Sequence, residues 1–126
     1  MTLLQLPRTI APPNTLSDLN ELRLTVMAYG TCRGTTNPDA WFPDEPDWED
    51  DSQEATEARG THKQTARMLC GGCPVRAECL EAALAEEQLL PRSAIHGIRG
   101  ARSAWERLKL RRSRQRSATR QTRKAA

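Results

Sequence analysis

Cys70-Gly-Gly-Cys73-Pro-Val-Arg-Ala-Glu-Cys79 is the stretch on which the fold turns. It holds three of the chain's four cysteines; Cys32 lies well upstream, with 37 residues between it and Cys70. Gly71 and Gly72 predict a tight turn, and Pro74 suits the first position of a helix, where its missing N–H would have no partner anyway. That helix is expected to run to about Leu90, before Pro91, with Val75, Cys79, Ala82 and Ala83 on one face and Leu80 and Leu84 beside it. Four soft thiolates suit zinc or an iron–sulfur cluster. Zinc requires its four sulfurs within about 3.8 Å of one another, given Zn–S bonds of about 2.3 Å. Cys79, about 7.5 Å along a helix that starts at Pro74, fits a wider cluster more comfortably. Gly71 and Gly72 would let backbone N–H groups approach inorganic sulfide, and the helix start points its positive dipole end at the site. Both effects also lower thiol pKa values. Cys70 and Cys73 form a C-x-x-C pair as well, so the residues leave three readings open: an iron–sulfur protein, a zinc-stabilised nucleic-acid-binding module, and a thiol–disulfide oxidoreductase acting in its metal-free form.

Working outward, the rest of the chain explains why a staple is needed. Leu, Ile, Val and Phe number 20 of 126 residues, with one Tyr and a mean hydropathy of −0.70. That is too little apolar material for a large enzyme core or a β-sandwich, and no run is long enough to span a membrane. Metal binding and folding are therefore expected to be coupled. No export signal is apparent in MTLLQLPRTIAPP, which places the cysteines in the cytoplasm, where clustered thiols bind metal more often than they form disulfides.

The net charge of +3 conceals a split. Residues 1–98 carry 8 basic and 15 acidic side chains, whereas residues 99–126 carry 11 basic and one acidic. A basic end of this purity suggests a polyanionic partner, with nucleic acid foremost. Arg111, Arg112, Arg114, Arg116, Arg120, Arg123 and Lys124 are the candidate DNA contacts, tracking phosphates with little sequence preference.

Local signals predict an all-α architecture: a small four-helix, cluster-stapled domain over residues 17–110, between a disordered arm (1–16) and a disordered basic tail (111–126). Ser17 reads as the N-cap of a first helix that Gly30 stops. Pro38, Pro43 and Pro46 make residues 34–51 a loop, and the acids of 44–57 read as solvated. A weak helix is expected from about Gln53 to Leu69, with a break at Gly60 and Thr61. Ser103-Ala-Trp-Glu106 is a capping box opening a last helix to about Arg112. Trp41, Phe42 and Trp48 suit either a core or a partner surface, and His62 and His96 read as polar surface residues.

The arrangement Cys32…Asp39-Ala-Trp-Phe-Pro43…Cys70-x2-Cys73-Pro-Val-Arg-x-Glu-Cys79-Leu resembles the WhiB-like proteins of actinobacteria and their phages. So does Gly97-Ile-Arg-Gly100-Ala followed by Ser103-x-x-Glu-Arg107 and a basic tail. The resemblance covers roughly residues 18–115. It implies a small helical transcription regulator whose [4Fe-4S] cluster, held by Cys32, Cys70, Cys73 and Cys79, responds to oxygen and nitric oxide. It further implies binding to the C-terminal domain of the principal sigma factor and action at promoter DNA. Trp41, Phe42 and the turn Gly97, Ile98, Arg99 and Gly100 would form the partner surface. The turn departs from the family's G-[VI]-W-G-G: Arg99 stands where the family has Trp, and Ala101 where it has the second Gly. Loss of that Trp removes an aromatic anchor of a kind commonly worth about 2 kcal/mol or more at an interface.

Overall fold

The computed structural model describes residues 10–125, which form four α-helices: α1 Leu16–Tyr29, α2 Gln53–Cys70, α3 Arg76–Glu87 and α4 Ala104–Ala125. Short 3-10 turns lie at Thr31–Gly34, Pro38–Trp41 and Arg92–Ala94. Among the described residues the only extended pairing is a bridge between Arg99 and Arg102, so the all-α expectation holds. Most of the arm expected to be disordered (residues 1–9) lies outside the described residues.

Three of the four helices begin where a side chain satisfies a free N–H; α3, which follows Val75, has no side-chain cap. Thr15, rather than the expected Ser17, caps α1, its hydroxyl accepting from the Asp18 amide at 3.0 Å. Ser52 caps α2 by accepting from Ala55 at 3.2 Å. The Ser103/Glu106 capping box forms reciprocally: Ser103 Oγ accepts from the Glu106 amide at 3.2 Å and Glu106 Oε1 from the Ser103 amide at 3.1 Å.

Three boundaries differ from expectation. α2 passes through Gly60 without a break; a Cβ there would meet nothing, and the buried stripe of Ala55, His62, Ala66 and Cys70 runs through both halves. A single exposed glycine costs only about 1 kcal/mol, too little to interrupt that packing. α3 is shorter at both ends than the span 74–90, beginning at Arg76 and ending at Glu87. α4 does not stop near Arg112 but continues to Ala125, so residues 111–125 are helical. The reason lies on one face. Arg111 donates to the carbonyls of Glu87 (2.7 Å) and Leu90 (2.8 Å), and Arg114 makes a bidentate pair with Glu81 at 2.8 Å. These contacts tie the helix to α3 for a turn beyond the expected end.

The apolar core is small and divided. Ala66, Cys70 and Ile98 form one cluster, flanked by Trp41, Leu69 and Ala101; Ile95, Ala104 and Leu108 form another, flanked by Trp48. Between them sits Arg107, 1% exposed. Its Nε and Nη2 bind Glu87 at 2.9 and 3.0 Å, Nη1 reaches the Gly97 and Arg102 carbonyls, and Nη2 also reaches the His96 carbonyl. Every donor position of the guanidinium is used, so a buried charge holds the 96–102 turn against α3 and α4. His62 corrects the surface reading: it is buried on α2, with Nδ1 3.3 Å from Glu45 Oε2.

Candidate metal centre

Four local structures deliver the cysteines to one place. Gly30 ends α1, its amide returning to the Val26 carbonyl at 2.8 Å, and Cys32 follows in the 3-10 turn. Cys70 is the last residue of α2, Cys73 closes the next turn by donating to the Cys70 carbonyl at 3.1 Å, and Cys79 lies in the first turn of α3. All four line a single cavity of about 300 Å³, walled by Val26, Trp41 and Ile98 and bordered by Arg76 and Arg99. Cys70 is buried, Cys73 and Cys79 are half-buried and Cys32 is exposed. Cys70 and Cys79 each lie near enough to Cys32 and Cys73 to feel their charge.

Burial pushes the Cys70 thiol up, opposed by the Ala101 backbone amide and reinforced by the other three cysteines. Burial also pushes Cys79 up, opposed by the Arg99 guanidinium and the Gly100 amide. The expected lowering of these thiols does not occur.

The backbone donors also sit elsewhere than expected. Gly71 takes ordinary right-handed helical angles. The amides that face sulfur belong to Gly100 (φ +60°) and Ala101 (φ +62°), consecutive left-handed residues in the turn closed by reciprocal 3.1 Å bonds between Arg99 and Arg102. Two successive left-handed residues at the centre of a closed turn define type I′ geometry, which presents adjacent N–H groups to one side. The turn lies tight on α3, since a Cβ at Gly100 would come 2.5 Å from the Leu80 backbone.

The residues expected to meet a partner divide by exposure. Phe42 is 64% exposed at the cavity mouth, and Trp41 is half-buried, its Nε1 donating to Thr35 Oγ1 at 3.2 Å. Gly97, Ile98 and Gly100, by contrast, are buried. The Ile98 amide donates to the Trp41 carbonyl at 2.8 Å, and its side chain packs on Ala66 and Cys70. These three shape the turn and offer little surface of their own. Arg99 is half-buried and pairs with Glu86 at 2.9 Å, and Glu86 also takes Arg23 of α1 at 2.9 Å. Burial raises the Glu86 carboxyl, but hydrogen bonds from Arg99 and Arg23 outweigh it and hold the group below the usual range. The arginine that replaces an aromatic thus joins α1, α3 and the turn beside Cys79.

Of the candidate DNA contacts, Arg111 and Arg114 are engaged with α3 and the loop after it, Arg111 half-buried and Arg114 still exposed; Arg112, Arg116, Arg120, Arg123 and Lys124 are exposed and make no such contact. Sequence reasoning missed Arg107, the Arg23–Glu86–Arg99 chain, and a stack in which Trp48 lies 5.7 Å from Trp105 while Arg59 covers Trp105 at 3.8 Å.

A helical body brings four thiols and two backbone amides around one cavity, with a basic helix beside it. The family model for the transcription factor WhiB matches residues 27–110, two thirds of the chain, and spans all four cysteines and the turn. The chain belongs to the WhiB family of transcription factors. No curated protein and no solved structure matches it. No helix of the described residues is long and apolar enough to cross a membrane.

Proposed function

We propose that the chain is a cytoplasmic transcription regulator in which Cys32, Cys70, Cys73 and Cys79 hold a [4Fe-4S] cluster responsive to oxygen and nitric oxide. The observation that carries this reading is the convergence of all four thiols on one cavity. The donor set is soft and complete. The amides of Gly100 and Ala101 and the charge of Arg99 oppose the negative charge that four thiolates bring. When bound, such a cluster supplies reactivity toward oxygen and nitric oxide. The chain's own part is mechanical: the four cysteines join α1, α2 and α3 with the 97–101 turn, and their release loosens the surface around Trp41 and Phe42. Phe42 and Trp41 support a docking surface for the C-terminal domain of the principal sigma factor, with Arg99 replacing an aromatic anchor there. The exposed cations of α4 support contact with promoter DNA.

Anaerobic purification with iron, sulfide and zinc assays tests the reading. About four irons and four sulfides per chain are expected, with an absorption band bleached by nitric oxide. A colourless protein carrying one zinc and no sulfide overturns it.

A further inference from the structure

α4 carries its cations on two opposite faces. At about 100° per residue, Arg107, Arg111 and Arg114 fall on one side, each tied to α3 or the loop after it. Lys109, Arg112, Arg116, Arg120 and Arg123 fall on the other, at steps of three and four residues. None of these five forms an ion pair with a described residue. Arg120 donates only to Ser117 Oγ at 3.3 Å, and Lys109 rests 5.9 Å from the Trp105 ring.

The outward stripe does not end at α4. It borders a groove of about 1020 Å³ whose far wall is α2, where Lys63 is exposed and without an ion pair. The Trp48–Trp105 stack and Arg59, which also donates to the Asp47 and Asp50 carbonyls, fix the two walls together. Glu49, Asp50 and Asp51 lie along one rim.

We infer that the outer stripe of α4 and Lys63 of α2 form one continuous face for the phosphates of duplex DNA, with the Glu49–Asp51 rim as its edge. The inference rests on the reading that the basic helix contacts promoter DNA, and it names the residues and the boundary of that contact. From Lys109 to Arg123 the stripe extends about 21 Å, matching about six base-pair steps at 3.4 Å each. A held helix presents these cations in register, which a free tail does not. The face carries affinity uniformly across sequences, because it meets phosphates and not base edges.

The test is binding of full-length, iron-loaded protein to a short random-sequence duplex across a range of salt. Lys63→Gln should flatten the slope of log K against log salt by about 0.9, and Arg112→Gln with Arg116→Gln by about 1.8. Asp51→Asn should tighten binding. Arg114→Gln should lower the thermal midpoint and leave the slope alone. If the α4 pair flattens the slope and Lys63→Gln does not, the face stops at α4 and the inference fails while the DNA reading stands. If neither changes it, both fail. An Arg114→Gln slope as flat as that of Arg112→Gln overturns the division into two faces. Effects seen only with polyglutamate, not with the duplex, would mean an acidic protein partner and overturn the inference.

Discussion

On the cavity side of the molecule, α1 and the two turns that follow it bury almost nothing: among the described residues from 16 to 42, only Gly30 is buried. Away from the cavity, the end of α3, α4 and the loop between them bury Ile95, Ala104 and Leu108 together with the fully bonded Arg107–Glu87 pair. One side is closed by side-chain packing and a satisfied buried charge. The other encloses a cavity whose rim is four thiols and leaves Leu16, Leu24, Met27 and Tyr29 of α1 exposed. The coupling between metal and folding that the apolar-poor composition leads one to expect for the whole chain would, on the proposed reading, be concentrated in one half. If the four thiols hold a cluster, as proposed, its loss changes the α1 side and keeps the α3–α4 side, and the basic helix stays formed.

The largest expected effect breaks this comparison directly. Stripping iron from anaerobically prepared protein should carry amide exchange in residues 16–42 toward free-chain rates, while α3 and the first turns of α4 retain most of their protection. Hydrogen exchange read by mass spectrometry resolves the two regions. Uniform loss across all four helices would mean that the far side has no stability of its own.

Next in size is the polar keystone of the far side. Arg107→Ala leaves Glu87 buried without its partner, and removing one member of such a pair costs about 3–5 kcal/mol. Urea denaturation of the iron-loaded protein should show a loss of that order. Replacing both partners at once, Arg107→Met with Glu87→Leu, should recover part of it, because neither residue then leaves a charge unpaired. A single-variant loss below about 1 kcal/mol would place the stability of this half elsewhere.

What the sequence made legible follows the same division. The Ser103–Glu106 capping box was readable because it is a local pattern with one dominant chemistry, and it forms in the structure, where the four cysteines also line one cavity. Arg107 was not readable, because an arginine in a polar helix looks like a surface residue until Glu87 and three carbonyls are brought around it from distant positions. The length of α4 was hidden for a related reason. Its arginines read as one uniform charge run, and only the fold separates those that clamp the body from those that face outward. The thiol shifts at Cys70 and Cys79 likewise depend on burial, which spacing alone does not convey.

The smallest effect concerns the turn that joins the two sides. Ala101 holds a left-handed conformation at φ +62°, where its Cβ crowds the following carbonyl at a cost of roughly 1–2 kcal/mol. Glycine removes that strain and keeps the amide facing Cys70. Against this stand the added freedom of the unfolded chain, about 0.4–1 kcal/mol, and the loss of a half-buried methyl beside Ala66 and Ile98. The balance predicts that Ala101→Gly stabilises the iron-loaded protein by about 0.5 kcal/mol, with iron content unchanged. A destabilisation of similar size would show that the methyl's packing outweighs the backbone strain. The seam between the halves would then be apolar in origin, and the amides facing sulfur would follow from that packing rather than set it.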